Sequence, residues 1–216
     1  MDIHLDTTPR ELLVGPFELR ALLGIPANAT GMVIFAHGSG SGRLSPRNNH
    51  VAGALRRAGL ATLLIDLLTP VEEANRANVF HIALLAERLA TAAQWVHRQP
   101  ELQHLPIGYF GASTGAGAAL VAATFDGPEI SAVVSRGGRP DLAGSSLPLV
   151  RAPTLLLVGS LDGPVIGLNR QAFAALTAPK ELVIVEGAGH LFEEPGTLDQ
   201  VITHASRWFA TWFAKA

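Results

Sequence analysis

Gly111-Ala112-Ser113-Thr114-Gly115 lies between an apolar run that ends at Phe110 and a small-residue stretch over 116–123. This is a G-x-S-x-G pattern in a strand–turn–helix context. Such a turn is sharp enough to force the serine into strained backbone geometry and to lift its Oγ clear of a sheet edge. Strand and helix backbones nearly touch there, so the flanking residues must be small, and Gly111 and Gly115 meet that need. In a chain with 22 glycines the pentapeptide alone decides little. The rest of the sequence has to say whether Ser113 is a nucleophile.

Working outward from the turn, the stretches 32–36, 60–65, 107–110, 132–134, 154–158 and 182–185 are short and nearly all apolar. Runs of this kind fit strands buried on both faces of a parallel sheet. Helix candidates lie between them at 48–58, 75–98, 115–124, 168–176 and 197–213, the last with Thr197 as its N-cap. Residues 11–14 and 17–23 read as a hairpin across Gly15-Pro16. A hairpin followed by repeated β-α units predicts an α/β fold: one domain over 1–216, a mostly parallel sheet and helices on both faces. The stretch 137–150 is too short for a cap domain, so an open site is expected.

The composition agrees with a single core. Apolar residues make up 48% of the 216-residue chain and charged residues 16%, with a net charge of −2. No basic stripe points to nucleic acid or an anionic membrane. No cysteine is present, so neither a disulfide framework nor a thiolate metal site is expected. Eight histidines without HxH or HxxxH spacing suggest no zinc site. Met1-Asp2-Ile3-His4 lacks the pattern of a signal peptide, and no run is long enough for a spanning helix. The expectation is a soluble cytoplasmic protein.

Ligands of such sheets bind beyond the carboxyl ends of the strands. His37-Gly38-Ser39-Gly40 follows the first parallel run, then Asp66, Ser113, Arg136, Asp162 and His190 follow the others in turn. Polar, chemically competent residues therefore recur at one edge of an apolar sheet. A serine hydroxyl needs a base, and the base needs an orienting partner. Ser113, Asp162 and His190 supply these in the chain order found in α/β-hydrolases. A tetrahedral intermediate needs two donors for its oxyanion. The Thr114 N–H is one candidate and the Ser39 N–H the other, with Gly40 next, while His37 braces the loop. His50 begins a helix, and His81, His97 and His204 fall inside helices; all four read as surface or packing residues.

Two rival motifs fail. Gly38-x-Gly40-x-Gly42 resembles a dinucleotide turn, with Asp66 placed to hold a ribose, but Arg43 stands where that pattern needs glycine. A phosphate loop over 111–117 lacks the Gly-Lys-Ser/Thr that should end it.

Four blocks together resemble the dienelactone hydrolase-like group of α/β-hydrolases. They are His37-Gly-Ser-Gly-Ser-Gly-Arg43 with Ser45-Pro-Arg-Asn48, then Gly111-Ala-Ser-Thr-Gly115, then Ser135-Arg-Gly-Gly-Arg-Pro-Asp141, and finally Gly187-Ala-Gly-His190 with Phe192-Glu-Glu-Pro195. The resemblance implies a cofactor-free hydrolase of esters or lactones with Ser113, Asp162 and His190 as its triad. The namesake enzymes use a cysteine nucleophile. This chain has serine there, which favours serine esterase chemistry over the dienelactone substrate.

The expected function is therefore cleavage of small or short-chain carboxylic esters, or lactones, through an acyl-enzyme. An acyltransferase or perhydrolase on the same site is the first alternative, and a non-catalytic binding protein of the same fold the second. Gly40, Arg43 and Arg136 are candidate substrate contacts. Arg136 and Arg139 could grip an anion, or could pair with Asp141, Glu72 or Glu73. The Glu72–Glu73 pair is placed in a loop that could wall the pocket. The expected partner is a small-molecule ester, bound by a monomer or homodimer.

Overall fold

The apolar runs form an eight-stranded sheet in the computed structural model of the protein, which describes residues 8–216. Residues 1–4, read above for a leader pattern, lie outside the described residues. β1 (Arg10–Val14) and β2 (Leu19–Gly24) make the antiparallel hairpin, with 15–18 as its turn. β3 (Met32–Ala36), β4 (Ala61–Ile65), β5 (Ile107–Ala112), β6 (Ile130–Arg136), β7 (Thr154–Gly159) and β8 (Lys180–Val185) follow. Across the sheet the order is β1-β2-β4-β3-β5-β6-β7-β8. β2 runs antiparallel to β4, and the pairs from β4 to β8 are all parallel.

The helices are α1 (Pro46–Arg57), α2 (Pro70–Glu73), α3 (Ile82–His97), α4 (Thr114–Ala122), α5 (Gly163–Ala175) and α6 (Thr197–Phe213). Met32, Ile34 and Leu63 bury themselves with Leu85 and Leu89 of α3 and Leu120 of α4. The alternate residues Val33, Phe35, Phe110 and Leu157 pack with Val51 and Leu55 of α1 and with Phe209 of α6. Both faces of the central strands are thus covered, which is why they read as continuous apolar runs rather than alternations. The Phe35 and Phe110 rings meet at 4.8 Å between neighbouring strands. The short segment Pro140–Leu149 is 3₁₀-helical and packs on α4 and α5, so no cap domain is inserted.

The helix expected over 75–98 is a correction. The chain instead makes α2, a 3₁₀ turn at Asn78–Phe80, and α3. Thr69 and Glu72 close a capping box around α2. His81 is not inside a helix: its Nδ1 accepts from the Leu84 N–H at 3.0 Å and starts α3. Histidine is not among the usual capping residues, so the Ala/Leu pattern ran across this boundary unmarked. Thr197 is not the cap of α6 either. Gly196, at φ 77°, is the cap, and the Thr197 hydroxyl donates to the Glu194 carbonyl at 2.7 Å. α5 begins at Gly163, five residues before the expected start, with Pro164 in its first turn. His50 lies within α1, which Ser45 caps. Among the described residues no helix is long and apolar enough to cross a membrane.

β5 reaches α6 so closely that a Cβ at Gly108 would stand 2.7 Å from the Phe209 ring and 2.9 Å from that of Phe213. Gly108→Ala is therefore expected to cost about 1–3 kcal/mol through overpacking. The measurement is the urea midpoint at constant m-value; an unmoved midpoint would show that α6 is not pinned here.

Candidate active site

Ser113 leaves β5 at φ 50° and ψ −122° and leads directly into α4. A bulky residue in such a conformation costs about 1–3 kcal/mol and persists only where its surroundings force it. Here they do. A Cβ on Gly115 would lie 2.2 Å from the Ala36 carbonyl oxygen and 2.5 Å from that of His37, so the start of α4 is pressed on the end of β3. The Arg139 N–H donates to the Ser113 carbonyl at 2.9 Å, and the Ser113 N–H donates to the Arg136 carbonyl at 3.4 Å. α4 can approach this closely because its sequence, TGAGAALVA, is almost all small residues.

Asp162 follows β7 and His190 follows β8. His190 Nδ1 and Asp162 Oδ2 are 2.7 Å apart, with the carboxylate largely shielded from solvent and the imidazole half-exposed. Gly137 lies beneath the histidine, since a Cβ there would meet the His190 carbonyl at 2.8 Å. The chain thus brings the histidine loop over the strand neighbouring the serine. Among the described residues neither Ser113 Oγ nor His190 Nε2 has a hydrogen-bond partner. Serine–base bonds of this type are often long in a free site and tighten around substrate.

The loop after β3 departs from expectation. The Ser39 N–H donates to Thr114 Oγ1 at 3.1 Å, so this candidate oxyanion donor is occupied by the side chain that follows the serine. Thr114 itself opens α4, where an N–H has no partner in the preceding turn. His37 braces the loop as expected: its Nε2 accepts from the Leu67 N–H at 3.1 Å. Ser39, Gly40, Arg43 and Thr114 line a cavity of about 190 Å³ whose apolar side is Leu44, Leu68, Val79 and Leu85.

The candidate cations separate sharply. Arg43 is no free rim group. Its N–H and Nη1 both reach the Asp66 carboxylate at 2.6 Å, which also takes Asp66 out of any ribose-binding role. Arg139 forms a fork on Asp141 at 2.8 and 2.7 Å, and that pairing raises its pKa further. Glu72 pairs with Arg88 at 2.5 Å; burial pushes its carboxyl up, but the Thr69 N–H and the Arg88 guanidinium outweigh this and hold it low. Arg136 is not at the rim. It is the last residue of β6 and is only 7% exposed.

Three supporting residues escaped the sequence. Asn169 of α5 donates to the Gly138 carbonyl at 3.1 Å, bracing the turn that holds the Ser113 carbonyl. Glu194 accepts from the Gly189 N–H at 3.1 Å, which ties the histidine loop and holds the Glu194 carboxyl below its usual range. The Thr114 hydroxyl is the third. Only Glu194 had a usable signal, lying four residues past His190; nothing in the order of residues marks Asn169.

No family model matches the chain. Among solved structures it resembles a dienelactone hydrolase from Anabaena variabilis, with 55% identity over 95% of this chain and 99% of that one, at a TM-score of 0.90. The Butyrivibrio proteoclasticus protein Est1E shares the fold at a TM-score of 0.76 with 13% identity. A Mycobacterium tuberculosis protein named "Putative phosphoribosyl transferase" is 57% identical over 199 residues, which are 92% of this chain and 45% of that protein. The chain thus spans about half the length of that curated relative.

The contact of Gly115 with two backbone carbonyls leaves a side chain nowhere to go. Gly115→Ala is expected to unseat α4 from β3 and to lower the melting temperature by several degrees, as about 1–3 kcal/mol of overpacking would. A variant that melts like wild type would mean the elbow is not held by this contact.

Proposed function

Because the chain belongs to the dienelactone hydrolase-like group of α/β-hydrolases, we propose that it is a serine hydrolase that cleaves carboxylic esters through an acyl-enzyme on Ser113. The observation that carries this reading is the bonded Asp162–His190 pair at the same sheet edge as a serine held at positive φ. Asp162 accepts from Nδ1–H and so leaves Nε2 as the basic nitrogen.

The steps follow from those positions. Ser113 Oγ adds to the ester carbonyl carbon as its proton passes to His190 Nε2, and the carbonyl π pair moves onto oxygen. The oxyanion is met by the Thr114 N–H and by the Ser39 N–H once the latter leaves Thr114 Oγ1. Collapse restores the carbonyl and breaks the bond to the alcohol, which departs with the proton from His190. Water then gives a proton to His190 and attacks the acyl carbon. The second collapse releases the acid and returns the proton to Ser113. Asp162 stabilises the imidazolium in both halves.

The cavity beside Ser39 and Thr114 supports small substrates. At about 190 Å³ it is below the roughly 300–1,000 Å³ typical of pockets for drug-sized ligands, so short acyl chains or small lactones fit best. An alcohol or peroxide competing with water for the acyl-enzyme would give the acyltransferase or perhydrolase alternative with no change of residues. The transferase name belongs to a longer relative, and no transfer chemistry beyond this partition is assigned to this chain.

Hydrolysis of short-chain p-nitrophenyl esters should fall by about 10⁴-fold or more in Ser113→Ala, and fluorophosphonate labelling should vanish with it. Equal rates in variant and wild type would end the proposal. Thr114→Val tests the oxyanion assignment separately. Freed from Thr114 Oγ1, the Ser39 N–H should keep kcat within about tenfold of wild type; a loss of about 10²–10³ would make the hydroxyl itself the donor.

A further inference from the structure

Arg136 has a setting that the ester mechanism does not use. Side chains alternate along a strand, so Arg136 shares with Ala132 and Val134 the face covered by α1 and α6. Its Nε and Nη1 are buried without a hydrogen-bond partner. Among the described residues no carboxylate pairs with it, and the charge that acts on it is another cation, Arg47. Burial first, and Arg47 second, push its pKa down to about 10. A buried cation that is neither paired nor hydrogen-bonded is one of the most costly arrangements a fold can hold, and it calls for an anion.

The surroundings fit one. Arg47 is the second residue of α1, whose first turn carries no acidic residue. Its Nη1 rests on the exposed Glu193 carboxylate at 2.5 Å, while its Nε is buried without a partner. The Arg47 N–H has no backbone partner. Asn48 beside it is 2% exposed, and its Oδ1 is also unpartnered. That amide can present its Nδ2 to an oxyanion by a half-turn about χ2. Arg47 bonds Glu193, and the ring of the adjacent Phe192 would stand 3.1 Å from a Cβ on Gly137, so one loop joins the positive end of α1 to the end of β6.

We propose that Arg136, at the end of β6, and Arg47, at the N-terminus of α1, together bind a phosphate group. A dianion matches the two cations, and its tetrahedral oxygens accept from both forks and from the helix amide together. Once Glu193 has yielded Arg47, a lone carboxylate would leave one of the two cations uncompensated. Glu193 already places a carboxylate on the solvent side of Arg47, and being exposed it can yield that position. The Arg136 carbonyl accepts the Ser113 N–H, so the strand end that carries this guanidinium also holds the serine turn. The phosphate belongs either to the ester substrate or to free inorganic phosphate; the first source rests on the esterase reading, whereas the binding itself does not.

Inorganic phosphate is the probe, with sulfate and chloride at equal ionic strength as controls. Phosphate should raise the melting temperature of the wild type. Arg136→Met should abolish that response while melting no lower than wild type in phosphate-free buffer, since it removes an uncompensated buried charge. Arg47→Ala, which removes a half-buried side chain, should weaken the apparent phosphate affinity about tenfold or more, in line with loss of one charged hydrogen-bond donor. The site is refuted by a wild type indifferent to phosphate, by chloride acting as well as phosphate, or by Arg47→Ala responding fully. Aryl acetates with and without a phosphate on the ring separate the sources. A KM lowered by the phosphate and restored by Arg47→Ala assigns it to the substrate. Equal KM values with inhibition by phosphate assign it to free phosphate. If no ester is cleaved at all, the thermal measurement still decides the site.

Discussion

The approach of Gly115 to the carbonyls of Ala36 and His37 is the contact on which the rest of the site depends. It presses the start of α4 against the end of β3, so the chain between β5 and α4 has no room to relax. Ser113 must take a positive φ, and its Oγ is lifted from the sheet edge as a consequence. The same contact brings Thr114 within reach of the loop after β3, where its hydroxyl receives the Ser39 N–H. A single backbone collision thus sets the serine, the helix amide and the facing loop in one geometry.

Around that contact the sheet divides labour between its faces and its edge. Both faces are closed by apolar packing, α3, α4 and α5 on one side and α1 and α6 on the other. Charged side chains that do chemistry are then confined largely to where strands end. The chain uses those ends in order, and the loops there are tied by local bonds rather than by burial. Glu194 holds Gly189, Asn169 holds Gly138, and Asp66 holds Arg43. These ties fix loops that carry few apolar residues of their own, and preorganised donors lose nothing to reorganisation when charge develops beside them.

What could be read from the sequence follows from which forces are local. The strands from β3 to β7 were legible because burial on both faces writes nearly unbroken apolar runs, and the ends of the parallel strands then pointed to Ser113, Asp162 and His190. Helix boundaries were not legible where the cap was unusual. Histidine at 81 caps through its ring nitrogen and glycine at 196 through its left-handed backbone, and neither is a Ser or Asp. Partners across the fold were invisible in principle. Nothing in the order of residues says that the Ser39 N–H meets Thr114, 75 positions away, or that Asp66 meets Arg43.

The arginines show the same limit most clearly. Arg136 and Arg139 sit three residues apart in one motif and looked alike as anion grips. In the fold their chemistry is opposite. Arg139 turns to Asp141 and is satisfied within its own turn. Arg136 points into the sheet face, where strand alternation and the α1–α6 layer set its environment. Other buried arginines of the fold find partners, Arg56 on Thr62 and Arg88 on Glu72, and among the described residues Arg136 has none. A fold that met the desolvation cost of a guanidinium only to leave it unpaired would gain by replacing it with an apolar side chain of similar size. The proposed phosphate would be the counterpart that the described residues do not supply, on the side of the fold that carries Arg47 and the amide end of α1.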